Sequence, residues 1–528
     1  MRDLQLPGRS PALAPDVMAA TPNPLATAAA LDILRRGGNA LDAAVAAAAV
    51  LAVVEPHQTG IGGDCFVIMA PRGEDRLIGY NGSGRAPAAA TPDWYRAHGI
   101  AAITERSPHA VTVPGAIDAW TRLVADHGTM EMAALLAPAI RYAEDGFPVH
   151  AQAEDNWAGS VAHLAADPDS ARLFLPGGRP LRMGEVHRNP ALAETLRTIA
   201  REGRAGFYQG RVAADMVRAL KARGGLHELA DFAAAAGEYV TPIRTSYRGV
   251  EVCQIPPNNQ GITALLMLNI LQAFDLGSLA PLSAERLHLE IEAGRLAYRD
   301  RDAFVADQRF AAVPVEELLA PGYAAALAAT IDPARAAVAL PRPLRTRSDT
   351  IYLTVVDRDR NAVSLINSVY KAFGSGIVAT GSGVVLHNRG LSFRLDPEHP
   401  NCIGPGKRPL HTIMPGMAVR DGRVLYSYGV MGGHYQPFGH VHLLTNLIDH
   451  GLDPQAGLDL ARVFHDGAAV EAERGVPAAS VEGLAARGHR VIPADGALGG
   501  GQCIAIDWQR GVLTGGSDPR MDGAALGF

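Results

Sequence analysis

The apolar residues of this chain change their period once, and that change limits the folds open to it. Between about residues 110 and 300 they recur with helical spacing, over 116–127, 132–145, 191–201, 212–223, 262–274 and 284–305. A short β insertion at 246–254 interrupts them. From Thr350 on they alternate in twos: TIYLTVVD, a turn at RDRN, then AVSLINSVY, with GVVLHNR, GMAVRDGRVLYSYGV and CIAIDW further on. Helices are expected between these strands, at 439–450 and 455–463. Near the start, 24–54 reads as two Ala-rich helices: Pro24 in a first turn, Gly37-Gly38 as a stop, and Asn39 capping the second before Pro56. A buried strand follows at 65–70, with a hairpin partner at 77–80. Residues 308–349 lose regular patterning after Ala329 and carry prolines at 333, 341 and 343, so they read as a mobile connector. Helix-rich first part and strand-rich second part predict one α+β sandwich built from two segments.

Composition fits a folded core. Of 528 residues 48% are hydrophobic and 19% charged, which excludes a disordered chain or a coiled coil. The net charge of −6 disfavours nucleic acid as a partner. Cys65, Cys253, Cys402 and Cys503 form no CxxC pair and suit a reducing compartment. Prolines break up the first twenty residues, so no secretory leader is expected there, and the apolar run 43–54 is too short to span a bilayer. Cytoplasmic location without a membrane partner is the expectation.

Thr350 opens a strand directly after RTRSD. By propensity it is an ordinary strand-entry residue. A threonine hydroxyl becomes a competent nucleophile when a base sits beside it, and the threonine's own α-amine supplies one once the preceding peptide bond is cut. The segment SDTIYLTVVDRDRNAVSLINSVYKAFGSGIVATGSGVVLHNR resembles, element for element, the processing-site segment of the γ-glutamyltransferase (γ-glutamyltranspeptidase) family. The likeness runs along nearly the whole chain, through GGNALDAAVAAAAVLAVVEPHQTGIGGDCF, AEDGFPV, HLEIEAGRLAYRDRDAFVAD, GPGKRPLHTIMP, GVMGGHYQ and GGSDPRMDG.

This resemblance implies a four-layer αββα N-terminal-nucleophile sandwich formed from one precursor. It implies self-cleavage between Asp349 and Thr350 into a large subunit, 1–349, and a small subunit, 350–528, that stay associated. The family's supporting threonine falls on Ser368, and its oxyanion-hole glycines fall on Gly432 and Gly433. The anchors for a glutamyl group are altered. The expected arginine position holds Ser83, with Arg85 two residues on, and the family's serine pair is His411-Thr412. Arg389 and Ser392 stand where groups for an α-amine belong. A cationic Arg389 repels an ammonium and pairs with a carboxylate. His434, beside Gly433, is a further substrate-side residue. The resemblance thus implies a hydrolase of a small carboxylate-bearing amide. Two activities of members lacking the glutamyl anchors fit: oxamate amidohydrolase of purine (uric acid) catabolism, favoured by the cationic replacement, and glutaryl/cephalosporin acylase. Ordinary glutathione γ-glutamyl hydrolysis or transpeptidation, and an inactive scaffold, are the alternatives. No cofactor or metal is implied, and homo-oligomerisation is left open.

Two further patterns weigh less. The glycine-rich stretches at 60–63 and 374–383 match neither a dinucleotide fingerprint nor a P-loop. His434, His440 and His442 cluster without an acidic partner, and read as helix-face or active-site residues rather than metal ligands.

Overall fold

The structure, a computed structural model, describes residues 8–337 and 349–528. It is a mixed helix-and-sheet fold. Residues 338–348, the end of the expected connector, lie outside the described residues. The earlier part of that stretch is not irregular: Val315–Leu319 and Pro321–Ala328 are helices, the second started by a first-turn proline and continued by alanines.

Most strands fall into two seven-stranded sheets, each antiparallel at every pairing, beside three smaller sheets of two or three strands. One runs Ala524–Gly527, Met18–Thr21, Asp349–Val356, Ala362–Tyr370, Asp64–Ala70, Ile78–Gly82, Glu238–Val240. The other runs Ala12–Ala14, Val512–Ser517, Gly500–Asp507, Arg423–Met431, Gly416–Arg420, Val250–Gln254, Ile243–Tyr247. Each of these two sheets therefore takes strands from both sides of Thr350.

Alternation along the strands decides what each face meets. Phe66, Ile68, Tyr352 and Ile366 of the first sheet pack against Cys253, Met417, Val424 and Ile504 of the second. The intervening residues Val67, Leu353 and Leu365 face the other way, onto Ala40–Val54 and its neighbouring helices. The outer face of the second sheet, with Tyr428 and Val430, is covered by Gly261–Leu271, Ala284–Phe304 and Gln436–Ile448. The order is helices, sheet, sheet, helices.

Ala40–Val54 is buried along its whole length, which its run of small and apolar side chains permits. Asn39 begins it: its side chain accepts the N–H groups of Leu41 and Asp42, and Asp42 reaches back to the Asn39 N–H. All four cysteines are buried and free. Among the described residues no helix is long and apolar enough to cross a membrane. His440 and His442 lie on the helix Gln436–Ile448, not on a strand, and bond to different partners, Gln254 and Glu290.

Candidate active site

Thr350 sits at the mouth of the inter-sheet layer. Its strand pairs with Ala362–Tyr370, and the register slips between Asp349 and Ile351, a bulge at Thr350. Parity places Thr350, Tyr352 and Thr354 on the face that meets the second sheet. Ser364, Ile366 and Ser368 share that face on the next strand, and Asp64 faces Ser368 across the one after. Thr350 is fully buried, and its Oγ1 lies 3.1 Å from Ser368 Oγ. Ser368 Oγ also accepts the Tyr370 N–H at 2.8 Å, which fixes the serine oxygen beside the threonine.

The facing strand, Arg423–Met431, brings in the glycine pair. Thr354 Oγ1 meets Ser427 Oγ at 2.7 Å. Two residues on, Tyr352 covers Gly429 so closely that a Cβ there would lie 2.5 Å from the ring. Thr354 faces 427 and Tyr352 faces 429, so from these contacts the two strands run on toward Thr350 and toward Met431 and Gly432 respectively. Gly432 has φ +123°, a conformation closed to other residues, and Gly433 opens the turn into Gln436–Ile448. Backbone N–H groups at the start of that helix are suited to a negative charge.

Gln260, which the sequence reading missed, holds this turn. It donates to the Gly433 carbonyl at 3.0 Å and to the Thr412 carbonyl at 2.7 Å, while its Oε1 accepts from Arg301. Its neighbours in PPNNQ act alike: Asn258 donates to Ser83 Oγ and to the Pro409 carbonyl. His434 accepts from Arg301 at Nδ1, 3.0 Å. Burial, with Arg301 beside it, holds the His434 imidazole neutral far below its ordinary range.

Arg389 lies within the short turn Arg389–Ser392 and is fully buried. Its guanidinium stacks 3.9 Å above the ring of Tyr370, which pairs across the strands with Asp349. Nη1 donates to Thr412 Oγ1 at 2.8 Å, whereas Nε and Nη2 have no hydrogen-bond partner among the described residues. Burial lowers its pKa to about 10, so it stays charged at neutral pH. His411, next to Thr412, donates from Nε2 to Asp64 Oδ2 at 2.8 Å. Asp64 Oδ1 accepts the N–H groups of Gly84 and Gly115. Burial works against the Asp64 anion, but His387, His411 and Arg389 together hold it below the usual carboxylate range. His411 is pushed down to about 3 by burial and by Arg389. The cluster therefore holds one anion, one cation and neutral imidazoles. Tyr370 and Asp64 were invisible as site residues in the sequence, because only the register brings them here.

Arg85 does not join this group. It donates to the Gly406 carbonyl at 3.2 Å and lies 3.7 Å from Asp307. Ser83, at the position where the family resemblance places an arginine, is knitted in by Asn258 and by Arg408 Nε on its carbonyl. Ser392 is buried, and its carbonyl accepts from Asn401. Beside Gly432 a groove of 840 Å³ opens, lined among others by Gln58, Gln152, Lys371, His434, Asp155 and Asp522.

A profile of the gamma-glutamyltranspeptidase family matches residues 26–528. The glutathione hydrolase-like YwrD proenzyme of Bacillus subtilis (strain 168) is 39% identical, over 97% of this chain and 98% of its own length. The oxamate amidohydrolase proenzyme of Klebsiella pneumoniae is 36% identical, over 97% and 98%. The crystal structure of cephalosporin acylase from Bacillus halodurans, 39% identical, superposes with a TM-score of 0.93 over 100% of this chain and 99% of its own. The chain is an amide-bond hydrolase and belongs to the gamma-glutamyltranspeptidase family.

Proposed function

We propose that the chain is a self-processing threonine amidohydrolase that acts on small amides bearing a carboxylate and no free α-amine, oxamate foremost. The paired sheets between helices fit the N-terminal-nucleophile sandwich, with 1–349 as large subunit and 350–528 as small. One observation carries the substrate class: Arg389 is a buried cation whose Nε and Nη2 meet no acceptor among the described residues. Buried donors without acceptors are costly, and a ligand carboxylate supplies the missing acceptor by a bidentate pair. An ammonium placed there meets repulsion.

Maturation starts when Thr350 Oγ1 attacks the Asp349 carbonyl carbon. The new C–O bond forms as the 349–350 C–N bond breaks, and the nitrogen takes a proton to become the free α-amine of Thr350. Water then hydrolyses the ester, leaving a carboxylate on Asp349. In the mature site that amine takes the Oγ1 proton as the oxygen attacks the substrate amide. The N–H groups of Gly432 and Gly433 receive the developing oxyanion. The departing amine takes the proton, and water hydrolyses the acyl ester. Ser368 positions Thr350, and Thr412, held by Arg389, shapes the acyl end together with His411. His434 shapes the opposite side. Four buried free cysteines suit a cytoplasmic setting.

A second reading has its own support. The 840 Å³ groove beside Gly432 is lined by Gln58, Lys371 and His434 and not by Thr350 or Arg389, so beyond an acyl group held at Arg389 it offers room for a leaving group far larger than ammonia. With the likeness to a cephalosporin acylase, this favours a glutaryl amide with a large amine portion. Hydrolysis assays on oxamate, glutaryl amides and γ-glutamyl anilide test both. Turnover of either acidic amide with γ-glutamyl anilide poor supports the proposed class, and the faster of the two chooses between readings. Efficient turnover of γ-glutamyl anilide with both acidic amides inert contradicts it.

A further inference from the structure

Outside the set of residues described around Thr350, two elements separated in sequence bring three metal-ligating side chains together. His288 and Glu292 lie one turn apart on Ala284–Phe304, and His489 lies between Ala478–Ala486 and Val491–Pro493. All three are buried, and one ligand atom from each lies within 4.8 Å of the other two. We propose that this trio is a site for a divalent transition metal, zinc by the nature of its donors, joining the parts of the chain before and after Thr350.

The hydrogen bonds around the trio resemble the outer shell of a metal site. His288 Nε2 lies 2.8 Å from the Asp332 carbonyl, which only accepts, so Nε2 carries the proton and Nδ1 presents a lone pair. A backbone carbonyl commonly fixes a ligating histidine in this way. His288 Nδ1 faces His489 Nε2 at 2.7 Å. A shift of His489 to its Nδ1–H tautomer frees the second lone pair without loss of a proton. The Glu292 carboxylate is held from behind, Oε1 by Arg295 Nη1 at 2.6 Å and Oε2 by the Ala337 N–H at 3.1 Å. Each oxygen keeps a second lone pair for a metal.

The dimensions are compatible. Zinc–nitrogen and zinc–oxygen bonds of about 2.0–2.2 Å set tetrahedral ligand separations near about 3.3–3.5 Å. The two imidazoles open by about 0.6–0.8 Å and the carboxylate closes in. Water takes the fourth position. Arg295 opposes binding, since it already neutralises Glu292, and the affinity is set by that competition. The role is structural. His288 precedes Arg301, the residue that reaches Gln260 and His434, by 13 positions on one helix, about 20 Å. If the chain is processed as proposed above, His288 and Glu292 belong to the large fragment and His489 to the small one. The metal then ties together two polypeptides that no peptide bond joins.

Binding is measured by titrating zinc, and cobalt(II) as a spectroscopic substitute, into metal-free full-length protein. Both wild type and Thr350→Ala are used, so that failure of processing and failure of the site are told apart. One equivalent bound by each form, an intense visible cobalt band of four-coordinate geometry, and affinity lowered about 100-fold or more in both His489→Ala and Glu292→Gln support the site. Glu292→Gln keeps the size of the side chain, so it remains informative if His489→Ala folds poorly. In processed protein, zinc should slow separation of the fragments and a chelator should hasten it. No stoichiometric binding to either form, an octahedral cobalt spectrum, or affinity unchanged in folded variants overturns the proposal.

Discussion

Replacing Arg389 by glutamine should impair substrate binding while leaving maturation intact. The guanidinium offers Nε and Nη2, both buried and without partners among the described residues, to a carboxylate. A charge-assisted hydrogen bond contributes about 1.5–3 kcal/mol, which is about 10- to 100-fold in affinity. KM for an acidic amide should rise by that factor with kcat little changed, the pattern of a contact made equally in ground and transition states. Self-cleavage uses Thr350 and the carbonyl before it, and involves no substrate carboxylate, so its rate should hold. Stability should fall modestly, because the buried Asp64 carboxylate loses the one cation of its cluster. The variant loses the Thr412 bond, about 1 kcal/mol, and the ring contact with Tyr370, about 0.5–2 kcal/mol. It also removes two unpartnered buried N–H groups, each costing about 1–3 kcal/mol. Steady-state kinetics on oxamate and a glutaryl amide, a time course of maturation by intact mass, and thermal unfolding read all three quantities. KM within twofold of wild type, or maturation slowed in step with the rise in KM, would refute the assignment.

Other positions yield distinct outcomes. Gly432→Ala should lower kcat of processed enzyme about 100- to 1000-fold, the cost of about 2.7–4 kcal/mol for one lost oxyanion donor, because its φ of +123° disfavours a side chain and a Cβ would meet Gly499 Cα at 3.0 Å. Near-normal turnover would remove the glycine pair from the site. Gly429→Ala should destabilise the fold by about 1–3 kcal/mol, because its Cβ would lie 2.5 Å from the Tyr352 ring; unchanged denaturant unfolding would show that the sheets tolerate the wedge. Glu55 is raised to about 8 by burial, so the folded state keeps its proton between about pH 4.5 and 8 while the unfolded chain loses it. That carboxyl contributes stability fully below pH 4.5 and loses it as pH rises toward 8. Glu55→Gln keeps the acceptor for Asn23 Nδ2 and should flatten the fall in unfolding temperature over that window; an unaltered pH profile would show that Glu55 ionises freely.

The parts legible in the sequence were those with a repeated local signal. Residues 350–370 alternate cleanly because one face meets a second sheet and the other meets helices, and Asn39 announces the helix it caps. The strands Ala12–Ala14, Met18–Thr21, Val512–Ser517 and Ala524–Gly527 escaped, being short, rich in Ala, Gly and Thr, and specified by their neighbours. The co-linear motifs named Thr350, Ser368, Gly432 and Gly433; of these the structure puts the Thr350 and Ser368 hydroxyls 3.1 Å apart. They could not show that Arg389 rests on Tyr370, or that His411 serves Asp64, since these contacts arise from register and loop crossing. Arg85 looked like a substitute for the arginine absent at Ser83, but its nearest partners are Gly406 and Asp307. The amides of 258–260 carried a local cue, a run of side chains that can brace neighbouring loops, without saying which loops.

Intact mass and N-terminal sequencing of the purified protein, wild type beside Thr350→Ala, test the central claim most directly. The account predicts two wild-type polypeptides, the smaller beginning at Thr350, and a single uncut, folded and inactive chain for the alanine variant. Cleavage between 349 and 350 in Thr350→Ala, or an active wild type that stays whole, would contradict it.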